Sequence, residues 1–315
     1  MKQPAVLYLV VPCYNEEAVL PETSQRLLAK MTALIEKQQI DVASRVMFVD
    51  DGSRDQTWPM ICNLHESNPL FVGVKLSRNR GQQNALLAGL NTAIKYADAT
   101  ISIDADLQDD IDVIDKMMNE YYQGAEIVYG VRSSRKKDTF LKRFTAQSYY
   151  KIMKKIGVDL IYNCSECRLM SKTAVEALNQ YQEVNLFLSG IVPQLGYQTA
   201  EVTYERDKRF AGKSKWSTKQ LFGKAIDGIT SFSNRPLTAI FGFGILATIL
   251  GLAGFVTTLV LMYVIGLSGL WPVLSAMVML TGVVLAALGV VGVYVGKTYL
   301  ETKHRPRYLI EKELK

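Results

Sequence analysis

The sequence predicts an α/β domain on a largely parallel sheet, followed by a hairpin of two membrane-spanning helices. Three observations predict it. Short apolar runs of strand length alternate with amphipathic helical stretches through the first part of the 315-residue chain. Polar clusters close most of those runs, on the rim where parallel sheets bind ligands. No Asp, Glu, Lys or Arg falls between Arg235 and Lys297, a gap far longer than a soluble core helix needs.

Taken in order, Val6–Val11 reads as a buried strand ended by Pro12, and Tyr14-Asn15-Glu16 follows it. Pro21–Gln38 reads as a helix with Leu27, Leu28, Met31, Leu34 and Ile35 on one face. Val46–Val49 is a second strand, closing in Asp50-Asp51-Gly52-Ser53, and Phe71–Leu76 a third, closing in Ser77-Arg78-Asn79. Gln82–Tyr96 places Leu86, Leu87, Leu90 and Ile94 on one helical stripe. Thr100–Ile103 is a fourth strand, running into Asp104-Ala105-Asp106, and Ile127–Tyr129 a fifth.

The net charge of +6 comes from one stretch, because residues 132–157 hold nine Lys/Arg against one Asp. Phe140, Leu141, Phe144, Ile152, Met153 and Ile156 recur there at roughly helical spacing. A second amphipathic stretch, 216–235, leads into the charge-free region. Basic amphipathic helices beside an anchor suit an anionic lipid surface, not nucleic acid.

Within the gap, 237–265 and 272–296 each exceed the ~20 residues that cross a bilayer. They divide at Gly266-Leu-Ser-Gly-Leu-Trp-Pro272. Lys219, Lys224 and Arg235 precede them, and Lys297, Lys303, Arg305 and Arg307 follow. The positive-inside rule therefore puts both termini and the large N-terminal domain in the cytoplasm. Met1–Val11 carries no signal-peptide pattern. The expected organisation is a domain over 1–215, an interface helix over 216–235, the spans within 236–296 and a basic tail over 297–315. Gly292-x-x-x-Gly296 would allow close helix packing, and so a homo-oligomer.

Four cysteines and two histidines, His65 and His304, offer no zinc pattern beyond the lone Cys164-x-x-Cys167. Two phosphate-loop look-alikes fail. Gly212-Lys213-Ser214 lacks the glycine a Walker loop needs at position 207, and the Gly242–Ala247 string lies inside the first span. Asp104-x-Asp106 is different. Carboxylates gathered at a strand end repel unless a cation joins them, and hard oxygen donors beside a diphosphate suit Mg²⁺ or Mn²⁺.

The strings VVPCYNEE (10–17), FVDDGSRDQT (48–57), LSRNRGQQNALLAGL (76–90), DADLQDD (104–110), YGVRSSR (129–135), ECRLMSK (166–172) and RFAGKSKWS (209–217) occur in one order along the chain. In that order the chain resembles family 2 glycosyltransferases. It is most similar to the polyprenyl-phosphate branch related to dolichol-phosphate mannose synthase, in its bacterial form with two C-terminal membrane helices. The resemblance implies a GT-A (Rossmann-like) fold, a nucleotide sugar such as a UDP-sugar, Mg²⁺ or Mn²⁺, and a polyprenyl phosphate acceptor at the cytoplasmic face of the cell membrane.

Carried over by motif, Pro12, Tyr14, Glu16, Asp51, Asp104, Ala105, Arg209 and Lys215 would bind the nucleotide sugar. Asp104, Asp106 and Gln108 would hold the metal, and Arg132, Arg135, Lys136 and Lys137 the lipid phosphate. Asp106, Glu166 and Arg132 would stand at the reacting centre. One departure is Glu166-Cys167-Arg168, where the family shows Asp followed by an aromatic. The reaction the resemblance implies is transfer of a hexose or N-acetylhexosamine to the lipid phosphate with inversion at the anomeric carbon, making a lipid-linked monosaccharide for cell-envelope glycan modification. The alternatives are a non-catalytic nucleotide-binding scaffold, or a processive polysaccharide synthase, whose Gln-x-x-Arg-Trp signature this chain lacks.

Overall fold

The computed structural model describes residues 3–106, 108–133, 160–183, 187–205 and 270–315, with isolated positions at 150 and 153 and between 240 and 264. Eight strands form one sheet: β1 Leu7–Cys13, β2 Arg45–Asp50, β3 Phe71–Leu76, β4 Ala99–Ser102, β5 Ile127–Arg132, β6 Cys164–Ser171, β7 Thr199–Tyr204 and β8 Ile310–Leu314. The described helices are α1 Leu20–Glu36, α2 Thr57–Ser67, α3 Gln82–Ala93, α4 Val113–Tyr122, α5 Lys172–Leu178, the single turn α6 Leu188–Ile191 and α7 Leu270–Thr302.

The sheet order is β7-β5-β6-β4-β1-β2-β3-β8. Strands β4, β1, β2 and β3 pair in parallel, as do β5 and β7. β6 runs antiparallel to both β4 and β5, and β8 antiparallel to β3. The sheet is therefore mixed, with two reversed strands that the sequence reading did not contain. Strand order reverses between β1 and β4, a switch point where two loops diverge and leave a crevice at the strand ends.

The strands form for the reason their sequences suggest. Leu7, Leu9 and Val11 on β1 are fully buried, and they pack with Leu27, Met31 and Leu34 of α1 and with Met117 of α4 in one apolar core. Val10 faces the opposite side, toward α3. There Gly89 lets the helix come close: a Cβ on Gly89 would lie 2.4 Å from Val10 Cγ1 and 2.6 Å from Val49 Cγ2.

The chain divides into two compact units. One comprises Met1–Lys224 with Pro306–Lys315, the other Ala225–Arg305. The segment read as a basic tail instead continues α7 to Thr302 and then supplies β8 to the sheet of the first unit.

The expected two-helix hairpin is replaced by a narrower finding. Among the described residues one helical stretch, Leu280–Thr302, is long and apolar enough to cross a membrane, and none of its most apolar window is buried. The second span, expected from Pro272, begins two residues earlier, so that Pro272 lies in the first turn of α7. Proline is tolerated there because its missing N–H would have had no helical partner. The first apolar stretch, 237–265, lies mostly outside the described residues, as do the amphipathic stretch 216–235 and most of the basic segment 132–157.

Candidate active site

The loops after β1 and β2 are laced together. Asn15 takes a positive φ of 52°. Its amide donates to Ser53 Oγ at 2.9 Å, and its Oδ1 accepts the Arg54 amide at 2.9 Å. The Glu16 amide donates to Thr57 Oγ1 at 2.8 Å, and Glu17 Oε2 accepts the Gln56 amide at 3.0 Å. Short polar side chains here do what a ladder would do elsewhere, satisfying backbone groups in a turn.

Asp51 fixes the next loop. Its two carboxylate oxygens accept the amides of Arg80 at 2.7 Å and Gly81 at 2.9 Å, just before α3 begins. Gly52 adopts φ 67°, and a Cβ there would lie 2.6 Å from the backbone of Arg78 and Asn79. Only a glycine fits both that conformation and that approach. Burial raises the Asp51 pKa, and the two amides work against the rise.

The acidic loop after β4 is held from both faces of the sheet. Thr23 Oγ1, buried in α1, donates to the Ala105 carbonyl at 2.8 Å. Gln82 Nε2, the first residue of α3, donates to Asp104 Oδ1 at 2.8 Å. The Gln108 amide donates to Asp106 Oδ1 at 3.2 Å.

Asp104 meets a concentration of negative charge. Its pKa is pushed up to about 8, first by loss of hydration, then by Asp109, Glu166 and Asp106, with Arg132 opposing. A carboxyl in that position is short of positive charge. Glu166 reaches it by register: Ser102 pairs with Arg168 in the antiparallel β4–β6 ladder, so two residues further on Asp104 comes opposite Glu166.

A cavity of about 530 Å³ opens at this switch point. Pro12, Tyr14, Glu16, Asp51, Asp104, Ala105 and Asp106 line it, together with Gly81 and Gln82. Seven of the residues nominated from sequence thus share one wall-to-wall space. Arg132, at the end of β5, lies beside it with Nη2 3.9 Å from Asp109 Oδ1. Burial alone would lower the Arg132 pKa, but Asp109, Tyr204 and Asp104 more than offset it, and the net direction is upward. Arg135, Lys136, Lys137, Arg209 and Lys215 lie outside the described residues.

Sequence reading passed over Gln82, Asp109 and Tyr204. Tyr204 on β7 donates to Asp109 Oδ1 at 2.6 Å, and so helps set the carboxylate that faces Arg132. Asp109 and Gln82 both fall inside quoted motifs, but nothing local marks them as facing Asp104. Cys164 and Cys167 are free thiols three apart on β6, where side chains point to opposite faces.

Among the described residues no group of three or more His, Cys, Asp or Glu is arranged to hold a metal. Asp104, Asp106 and Gln108 nevertheless offer oxygen donors on one short loop, and the charge deficit at Asp104 fits a hard divalent cation. Mg²⁺ and Mn²⁺ commonly take few protein carboxylates and complete their shell with phosphate and water.

Residues 8–178 match the family model described as Glycosyl transferase family 2. The chain is 46% identical over 313 residues to the uncharacterized glycosyltransferase YkoT of Bacillus subtilis (strain 168), covering 98% of this chain and 92% of that protein. It is 38% identical over 308 residues to the bactoprenol glucosyl transferase of Shigella phage SfV, covering 97% and 98%. A prophage bactoprenol glucosyl transferase homolog of Escherichia coli (strain K12) is 37% identical over 309 residues, covering 96% and 98%.

Proposed function

The chain belongs to glycosyl transferase family 2, and on that footing we propose that it transfers a hexose from a nucleotide sugar to a polyprenyl phosphate with inversion at the sugar. The observation that carries this reading is the acidic loop Asp104–Asp106 opening into a 530 Å³ cavity at the switch point, with Arg132 beside it. The similarity to bactoprenol glucosyl transferases over nearly their whole length supports a polyprenyl phosphate acceptor and favours glucose as the sugar. The basic stretch that follows Arg132 suits a UDP-sugar site close to anionic lipid.

In the proposed reaction an oxygen of the lipid phosphate forms a bond to the anomeric carbon as the bond from that carbon to the diphosphate breaks. Two electron pairs move and no proton need move. The acceptor already carries an oxyanion, since a phosphate monoester has its second pKa near ~6. Pro12, Tyr14, Glu16 and Ala105 form walls for the nucleotide, and Asp51 holds the loop that closes the cavity. Asp104, Asp106 and Gln108 would hold Mg²⁺ or Mn²⁺, which when bound supplies charge opposite the leaving diphosphate. Arg132 faces the developing negative charge, and Arg209 and Lys215 would join it. Glu166 stands opposite Asp104 and bounds the acceptor side. The GT-A fold, anchoring by α7 together with the stretch 237–265, and a cytoplasmic catalytic domain complete the reading.

The test is direct. Purified protein in detergent, with Mn²⁺, radiolabelled UDP-glucose and undecaprenyl phosphate, should yield a labelled lipid, and Asp106→Ala should not. Equal transfer by the variant, or no labelled lipid from any nucleotide hexose, would refute it.

A further inference from the structure

The guanidinium of Arg168 is buried without a counter-ion among the described residues. Arg168 on β6 is 5% exposed. Among the described residues no carboxylate comes within ion-pair distance of it, and its Nε has no hydrogen-bond partner. Its contacts are weak ones. The guanidinium lies over the Tyr129 ring, 5.2 Å from the centroid, and Nη2 comes within 4.0 Å of Cys164 Sγ. Among the described residues the Tyr129 hydroxyl is also without a hydrogen-bond partner. A stacked ring and a thiol do not replace the hydration a guanidinium gives up. Buried charges are as a rule paired, because an unpaired one forfeits its hydration without compensation.

The direction of the side chain shows where its partner enters. β6 runs antiparallel to β4, so the beginning of β6 lies at the rim with the acidic loop while Arg168 sits deeper, opposite Ser102 and Tyr129. From there Nη2 reaches back along its own strand toward Cys164, across a register irregularity in the β5–β6 pairing. The guanidinium is therefore aimed at the rim. Cys164 pairs with Val131, the neighbour of Arg132, whose Nε also has no hydrogen-bond partner among the described residues. Burial raises the Cys164 thiol pKa, and both Arg168 and Arg132 pull it back. Two guanidiniums thus approach one end of β6, Arg132 from the face of Asp109 and Tyr204, Arg168 from the face of Tyr129.

Strand order distinguishes the two possible sources of phosphate. The cavity is lined from the ends of β1, β2 and β4 and the start of α3, and neither Arg168 nor Glu166 touches it. β6 lies on the other side of β4. Among the described residues, Arg132 at the end of β5 stands on that side. We infer that Arg168 is a second guanidinium for the phosphate of the acceptor, a phosphate monoester, and not for the donor diphosphate. The inference rests on the transferase reading for the identity of the acceptor, but not for the presence of an anion site.

The experiment uses the full chain in detergent, as wild type, Arg168→Met and Arg168→Lys. Met keeps the buried stem and removes the charge, while Lys keeps a point charge without the planar fork. With UDP-glucose and farnesyl phosphate as substrates, Arg168→Met should raise the KM for farnesyl phosphate tenfold or more and leave the KM for UDP-glucose within twofold. That size follows from losing one charged hydrogen bond. Arg168→Lys should fall between the two, and it carries the test if the Met variant does not fold. A larger KM shift for UDP-glucose than for farnesyl phosphate would place the guanidinium on the donor and overturn the inference. Unchanged KM values for both would also overturn it. A binding arm separates this from failure of the transferase reading. Titration calorimetry with farnesyl phosphate, against farnesol as control, should show phosphate-dependent binding to wild type and its loss in Arg168→Met even if no sugar is transferred. Equal binding to both proteins would reject an anion site at Arg168.

Discussion

Gln82 Nε2 donates to Asp104 Oδ1 at 2.8 Å and so joins the first residue of α3 to the loop after β4. The same turn is pinned from β2, because the amides of Arg80 and Gly81 end on Asp51. The cavity wall and the proposed metal carboxylate therefore share one support. Gln82→Ala should raise the apparent KM for Mn²⁺ by about tenfold, the usual cost of losing a group that orients a metal-binding side chain. Saturating Mn²⁺ should restore most of kcat. Initial rates across a metal titration measure both.

Glu166→Gln addresses the carboxylate opposite Asp104. A base is not required by an acceptor that is already ionised, so the variant should keep kcat within about tenfold of wild type. A positioned general base contributes ~10²–10⁴-fold. A fall of that size at saturating acceptor, restored by Glu166→Asp, would assign the proton-accepting role to this position.

Asp50 supplies the pH prediction. It is fully buried, its Oδ1 accepts the Ser53 amide at 3.2 Å, and its Oδ2 has no hydrogen-bond partner among the described residues. Burial raises its pKa, with Ser53 and Lys75 opposing. The folded protein then holds this proton more tightly than the unfolded chain, whose Asp titrates near ~3.9. Stability falls as pH rises from the unfolded pKa through the raised folded one, and stays lower above it. Asp50→Asn removes the titration. Thermal melts should favour the variant increasingly as pH rises above the unfolded Asp value of ~3.9. A difference independent of pH would contradict the assignment.

Gly89→Ala tests the packing of α3 on the sheet. The added methyl would fall 2.4 Å from Val10 Cγ1 and 2.6 Å from Val49 Cγ2, both on buried strands. Overpacking of this kind costs about 1–3 kcal/mol, more than the helix gains from replacing glycine. Chemical denaturation should show a lower midpoint with an unchanged slope.

How much of this was legible beforehand follows from which forces are local. β1 to β5 are apolar runs closed by turn residues, and their burial on both faces is written in their composition. β6 is not, because Ser165, Glu166 and Arg168 interrupt it with polar groups. Ser165 and Arg168 are buried, and the Ser165 hydroxyl donates across the sheet to the Gly130 carbonyl at 3.1 Å while accepting the Cys167 amide at 3.1 Å. β7 and β8 carry few apolar residues, and edge pairing defines them. The acidic loop announced itself as charge. The groups that hold it, Thr23 and Gln82, did not, since each is an ordinary helix residue until α1 and α3 are laid against the sheet. The second span reads from Pro272, and the helix begins two residues earlier at Leu270, because proline in a first helical turn is no obstacle.

Strand β8 has a consequence for how the protein is made. The free edge of β3 is closed by residues 310–314, and the Tyr308 hydroxyl accepts the Asn91 side-chain amide of α3 at 2.8 Å. Those residues leave the ribosome only after α7 has been translated. Until then the nascent domain exposes a row of unpaired backbone groups, the kind of edge that recruits other chains. Maturation of the N-terminal domain is thereby made to wait for the apolar helix.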